Sequence, residues 1–275
     1  MSPPTIVWIS KTRMSIRWEQ RFNQESHCTR VLGFELASVD DCRKFFAERV
    51  AARLREADGA TLIEEHLVEL GDTGFDISGL QKQIQSPPKA KDWEIGEIFT
   101  EVVLEDFHEA KFPWHIALDK RTPKASLPGP DLVGFHRNKV PRFLFGEVKS
   151  SSEGARPPQV VDSGSDCLLN QVRRLLTSEL HRQQLIQWLL VRAKGTDWEP
   201  VFNDALMRYA PGVRDAWLVG VLVRGERIPS ADDICSICEP LGRQNGDYEA
   251  SLIVFYVPFH KDKWVELIYG EHELS

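Results

Sequence analysis

The chain has 275 residues, 42% hydrophobic and 27% charged, with a formal net charge of −7. That is the make-up of an ordinary globular protein with ample material for a core, and the acidic balance argues against a chain that coats nucleic acid with its whole surface. No apolar run approaches the roughly 20 residues of a membrane helix, and the start MSPPTIVWISK lacks the basic and apolar blocks of a signal peptide, so a soluble, cytoplasmic protein is expected.

The first 88 residues read as an α+β unit. Short apolar strands are predicted over 5–9 and 31–37. Asp40 caps a predicted helix whose Cys42, Phe45, Phe46, Val50 and Leu54 recur at helical spacing, with Gly59 beyond its end. A second amphipathic segment covers 62–70. Residues 74–88 read as loop, and Ser86-Pro87-Pro88-Lys89 marks a boundary. Nothing here carries chemistry, and the region reads as an accessory part that docks a partner or frames a cleft.

A helix is predicted over 93–107, with Ile95, Ile98, Phe99, Val102 and Val103 on its buried stripe. Glu94, Glu97 and Glu101 share an adjoining side, a spacing that most often means a solvated face. A strand over 113–118 and a Lys- and Pro-rich turn follow. From His108 to Ser150 there are eight Lys or Arg against four acids, a local excess that would attract phosphates.

Two apolar strands come next, and they carry polar residues a core does not need. The first opens with Pro130-Asp131, and the second ends in Glu147-Val148-Lys149. Residues two apart on a strand point the same way, so Glu147 and Lys149 share a face, and pairing of the strands brings Asp131 to it. Glu-x-Lys alone is a common surface pair. Two carboxylates and an ammonium at buried strand ends are another matter, because buried charge must be paired or ligated. Hard oxygen ligands of this kind suit Mg²⁺, which binds through one or two carboxylates together with substrate phosphate.

After a Gly- and Pro-bearing connection over 150–165, one long helix is predicted over 167–193, with Leu180 and Leu190 among its inward residues and Gln171 in its first turns. A short helix over 203–209, strands over 215–224 and 252–257, and a last element over 263–269 complete the chain, with 231–246 irregular. The five cysteines are an odd set, and disulfides are not expected. Cys235-Ser-Ile-Cys238 has the spacing of half a zinc site with no second half, and Cys42 and Cys167 read as packing residues.

The Pro130-Asp131 pair, the Glu147-Val148-Lys149 triplet and the order of elements around them resemble the PD-(D/E)XK nuclease superfamily. The resemblance implies an α/β restriction-endonuclease-like core over 89–275, a central mixed sheet flanked by helices, with the α+β accessory region over 1–88. It further implies that Asp131 and Glu147 hold Mg²⁺ or Mn²⁺ and that Lys149 assists the attacking water. An acid from the preceding helix, Glu97 or else Glu101, joins the metal in many relatives, and Gln171 sits near the metal water or the nucleic-acid backbone. Arg174 and His181 are then candidate phosphate contacts. More narrowly, residues 93–193 resemble the HamA family, the nuclease subunits of Hachiman anti-phage defence, which implies DNA as substrate and a HamB-like helicase as partner. Two other readings stay open: a nuclease-like module that docks a partner or holds DNA without turnover, and a metal-dependent hydrolase of RNA or nucleotides.

Overall fold

The computed structural model describes residues 7–8, 16–26, 29–57, 66–71, 90–114, 129–137, 140–210, 215–243 and 248–270. Strands β1 (Val7–Trp8), β2 (Trp18–Ser26), β3 (Thr29–Glu35), β4 (Ala110–Lys111), β5 (Leu132–His136), β6 (Arg142–Ser151), β7 (Ala216–Gly225) and β8 (Glu249–Val257) form one mixed sheet. Their order is β1-β2-β3-β8-β7-β6-β5-β4. The four central strands β3, β8, β7 and β6 run parallel, and the outer ones join antiparallel. Strand β7 explains the choice, since all ten of its residues are buried. A strand apolar on both faces needs strands on both edges and helices above and below.

The side chains of the sheet feed two cores. On one face lie the continuous helix α1, formed by Val39–Lys44, a π-wound stretch Phe45–Val50, and Ala51–Ala57, together with α3 (Asp92–Phe107) and the terminal α9 (Trp264–Tyr269); a short α2 at 66–71 precedes α3. Phe46 stacks on Phe99, and both join Leu144, Val148 and Trp264. On the other face lie α4 (Gln159–Asp162), α5 (Leu168–Thr177), α6 (Glu179–Ala193), α7 (Glu199–Tyr209) and α8 (Cys238–Gly242). There Leu168 and Val172 meet Phe143, Phe145, Leu218 and Leu222.

The N-terminal residues do not stand apart as an accessory. Strand β3 sits between β2 and β8 in the common sheet, and α1 is tied to α3 by Arg49–Asp106 at 2.8 Å and Arg53–Glu101 at 3.2 Å. The boundary expected at 86–89 lies outside the described residues, as do Gly59, the first part of the segment 62–70 and the loop over 74–88. Most of the strand expected over 113–118 lies outside them too, and Pro113 and Trp114 are not in a strand. The helix cap is Ser38, one turn before Asp41, whose N–H it accepts at 3.2 Å, in place of Asp40.

The single helix expected over 167–193 is two. Ser178 leaves helical geometry and accepts the His181 N–H at 3.2 Å, while the buried Arg182 turns back onto the carbonyls of Leu175 and Leu176. A serine cap and a guanidinium that satisfies the orphan carbonyls make this break cheap. The new start resets the helical face, so Leu180 and Leu190 are exposed and His181 is buried.

A charged network closes the ends of β6, β7 and β8. Fully buried Arg224 reaches Asp233 at 3.2 Å, the Glu153 carbonyl at 2.8 Å and the Ala155 carbonyl at 3.3 Å, and Tyr256 donates to Asp233 at 2.8 Å. Arg227 holds the Ser152 carbonyl at 3.0 Å. These bonds anchor the segment that follows β6. Removing one member of a buried ion pair strands the other, so Arg224→Ala is expected to cost about 3–5 kcal/mol, read by urea unfolding, and Tyr256→Phe about 1–2 kcal/mol. A loss below about 1 kcal/mol in Arg224→Ala would show that the network does not hold this end of the sheet.

Candidate active site

Strands β5 and β6 pair from His136↔Arg142 to Leu132↔Gly146. Beyond that register β5 ends, while β6 continues to Ser151 against β7. Pro130 is buried at the point of departure. It carries no N–H, so it suits the place where a ladder stops. The edge of β6 is not left bare there, because Asp131 Oδ2 accepts the Val148 N–H at 2.8 Å. This bond sets the aspartate beside Glu147.

Parity along β6 fixes which face the site occupies. Leu144 and Val148 belong to the core under α3, and Phe143 and Phe145 to the core under α5. Glu147 and Lys149 therefore point to the α5 side, and Asp131, two before Val133, points the same way. Opposite Glu147 on β7 stands Gly220, where an added Cβ would lie 2.9 Å from both Leu252 and Val172. The missing side chain lets α5 come down onto the sheet next to the glutamate.

Lys149 Nζ lies 3.0 Å from Glu147 Oε1 and 3.2 Å from Asp166 Oδ2. Asp166 Oδ1 in turn accepts from Gln171 Nε2 at 2.6 Å. The structure thus gathers Asp131, Glu147, Lys149 and Gln171. Sequence reasoning missed Asp166. It precedes the N-cap Cys167 of α5 in a Gly-Ser-Asp stretch that reads as plain loop, and only its position next to Gln171's helix could have pointed to it.

Glu97 is half-buried on the helix that precedes the motif strands. The buried apolar stripe of that helix, α3, packs on the opposite face of the sheet, and the largest charge effects on Asp131, Glu147 and Lys149 come from one another and from Asp166. Glu101, on the same helix, is taken by Arg53. Arg174 is exposed on α5, one turn beyond Gln171, and His181 is buried behind the Ser178 cap. Of the basic run before the motif, Lys120, Arg121, Lys124 and Lys139 lie outside the described residues. Arg142 stands at the far end of β6, bound to Asp215 at 3.3 Å and to His136. Cys235 and Cys238 have thiols pushed up by burial, Cys238 to about 12, which suits packing and disfavours thiolate ligands.

Electrostatics mark the carboxylate pair. Glu147 is 4% exposed, and burial, then Asp131, push its carboxyl well above the usual range. Burial also raises Asp131 against the pull of the Val148 N–H and Lys149. Desolvation opposes the charge on Lys149, but Glu147 and Asp131 outweigh it and keep the amine an ammonium more firmly than usual. Buried against each other, the two carboxyls therefore both favour the protonated form more than an exposed carboxyl does. Among the described residues no three or more His, Cys, Asp or Glu side chains are grouped as a metal cage. Two convergent hard-oxygen ligands still fit Mg²⁺ or Mn²⁺, which keep waters and take further oxygens from substrate.

No family model matches this sequence, and no curated protein matches it either.

Both carboxyls hold protons more tightly when folded than when unfolded. Their contribution to stability is full only below the unfolded carboxyl values, at about pH 3, where both states are protonated, and is lost as pH rises from about 4 through neutrality. In EDTA, Glu147→Gln is accordingly expected to melt with the wild type at pH 5 and about 3 °C above it at pH 8.5, the shift that ~1 kcal/mol produces in a chain of this size. Calorimetry showing no gain at pH 8.5 would mean that the pair is not strained by charge.

Proposed function

We propose that this protein is a metal-dependent deoxyribonuclease of PD-(D/E)XK type. The observation that carries the reading is the meeting of Asp131, Glu147 and Lys149 on one face of the sheet, with more carboxylate than cation in a buried corner. Asp131 and Glu147 would hold the divalent ion, which when bound supplies Lewis-acid polarisation of the scissile phosphate and a more acidic water. Because burial raises the proton affinity of both carboxyls, ion binding would compete with protons and strengthen with pH.

Glu147 and Asp131 favour the ammonium form of Lys149, which suits it to donate. Its Nζ is fixed by Glu147, and its side chain is 15% exposed, which lets it donate to a phosphate oxygen or to the attacking water and offset charge developing on phosphorus. Gln171, half-buried at the mouth on α5, adds a neutral donor beside it. The resemblance of residues 93–193 to HamA supports a role in anti-phage defence with a HamB-like helicase. On that reading the helicase supplies DNA to a subunit that is cytoplasmic and acts on phosphodiester bonds.

The test is cleavage of linear, circular and single-stranded DNA by the purified protein with Mg²⁺, Mn²⁺ or EDTA, alone and with a HamB-like helicase. Cleavage is expected only with the divalent ion, and Asp131→Ala, Glu147→Ala and Lys149→Ala are each expected to lower it by about 100-fold or more. Glu97→Gln is expected to lower the rate less than these three, since the buried stripe of its helix packs on the other face. DNA binding without metal-dependent cleavage under every condition would favour a docking module and end the enzyme reading, and cleavage of RNA alone would move it to another substrate.

A further inference from the structure

We infer that Lys149 Nζ and Gln171 Nε2 form an oxyanion subsite, and that in the resting protein Asp166 fills it in place of a substrate phosphate. The inference rests on the phosphodiesterase reading above for the identity of the anion. Its own basis is a single carboxylate with one donor on each oxygen: Lys149 on Oδ2 at 3.2 Å and Gln171 on Oδ1 at 2.6 Å. The donors come from different elements, β6 and α5, and converge on one point. A carboxylate and a phosphodiester both present two anionic oxygens on one atom, so what receives the first can receive the second.

Charge makes displacement necessary. Asp131, Glu147 and Asp166 surround one ammonium, so an arriving phosphate meets more negative than positive charge. Of the three carboxylates, Glu147 is 4% exposed and Asp131 is bound to the Val148 N–H, whereas the Asp166 side chain is 79% exposed. Asp166 is the one that can swing away. An ion pair so open to water contributes little, and its loss is easily offset by a phosphate on the same donors. The loop that carries it is tethered behind, where Asn170 Nδ2 donates to the Gly164 carbonyl at 2.9 Å, so the side chain can leave without unwinding α5.

A role for Asp166 in merely positioning Lys149 and Gln171 predicts the opposite sign, and this makes the inference testable with inorganic phosphate alone. Phosphate titrations followed by ³¹P NMR, in EDTA at constant ionic strength, compare wild type with Asp166→Ala, Asp166→Asn, Asp166→Ala/Gln171→Ala and the exposed control Asp162→Asn. Both Asp166 single variants are expected to bind phosphate about three- to fivefold more tightly than wild type, with the gain lost in the double variant and absent in the control. Binding that is unchanged or weaker in the Asp166 variants, or an equal gain in Asp162→Asn, overturns the subsite. No DNA and no turnover enter this measurement, so a phosphate gain in a protein that never cuts DNA keeps the subsite and rejects the nuclease. Cleavage without the gain does the reverse.

Discussion

Where β5 leaves β6, the Asp131 carboxylate replaces a strand by accepting the Val148 N–H at 2.8 Å. A buried strand edge with an unmet donor is costly, and the usual remedies are another strand, a helix or a bulge. Here the remedy is a charged side chain, and it has a consequence that a strand would not have. The carboxylate that closes the edge is pinned beside Glu147, which β6 turns to the same face, so a backbone requirement creates a pair of acids in a dry corner. The raised affinity of both for protons is the electrostatic signature of that construction.

The same end of the sheet holds a second set of buried charges, and the contrast is instructive. Arg224 sits two residues beyond Leu222, the neighbour of Lys149 in register, and is matched by Asp233 and by the carbonyls of Ser151, Glu153 and Ala155. Burial opposes its charge, yet acceptors surround it. That cluster works as a fastening. The Asp131 and Glu147 corner is built in the same surroundings without a comparable balance, since one ammonium answers three carboxylates. A fold that pairs a buried cation with an acid in one place and leaves acids in excess beside it has the electrostatics that a cation-dependent reaction requires, and this underlies the proposed metal chemistry.

Much of this was legible in the sequence because it depends on short-range pattern. Period-two placement put Glu147 and Lys149 on one face, the apolar stripe of α3 put Ile95, Ile98, Phe99, Val102 and Val103 inside, and the unbroken apolar run of β7 marked a strand of the sheet. What escaped depends on long-range placement. That residues 29–35 pair in parallel with 249–257, across more than two hundred positions, leaves no local trace and turns an apparent accessory region into part of the main sheet. The acids of α3 looked like candidate ligands because periodicity tells which side of a helix they share, not which face of the sheet that helix covers. Arg53, on an element far away in sequence, takes one of them, Glu101, to join helices, as Arg49 does with Asp106. The break at Ser178 was written locally, in a serine before a helical run, but the apolar spacing on either side of it masked the stop.

Helix α5 links these levels. Its descent onto the sheet depends on Gly220, since Val172 on the helix and Leu252 on β8 would each lie 2.9 Å from a side chain starting there. Gln171 lies next to Val172 in the first turns of the helix, and Asp166 immediately precedes its cap. The depth of one packing contact therefore sets where an amide donor and a carboxylate stand relative to Lys149, and these two are the parts of the site that come from outside the motif strands. The motif strands alone would deliver two acids and an amine. Packing at a glycine on the next strand adds the donor and the displaceable carboxylate that, on the proposed reading, turn a pair of metal ligands into a place for a phosphate.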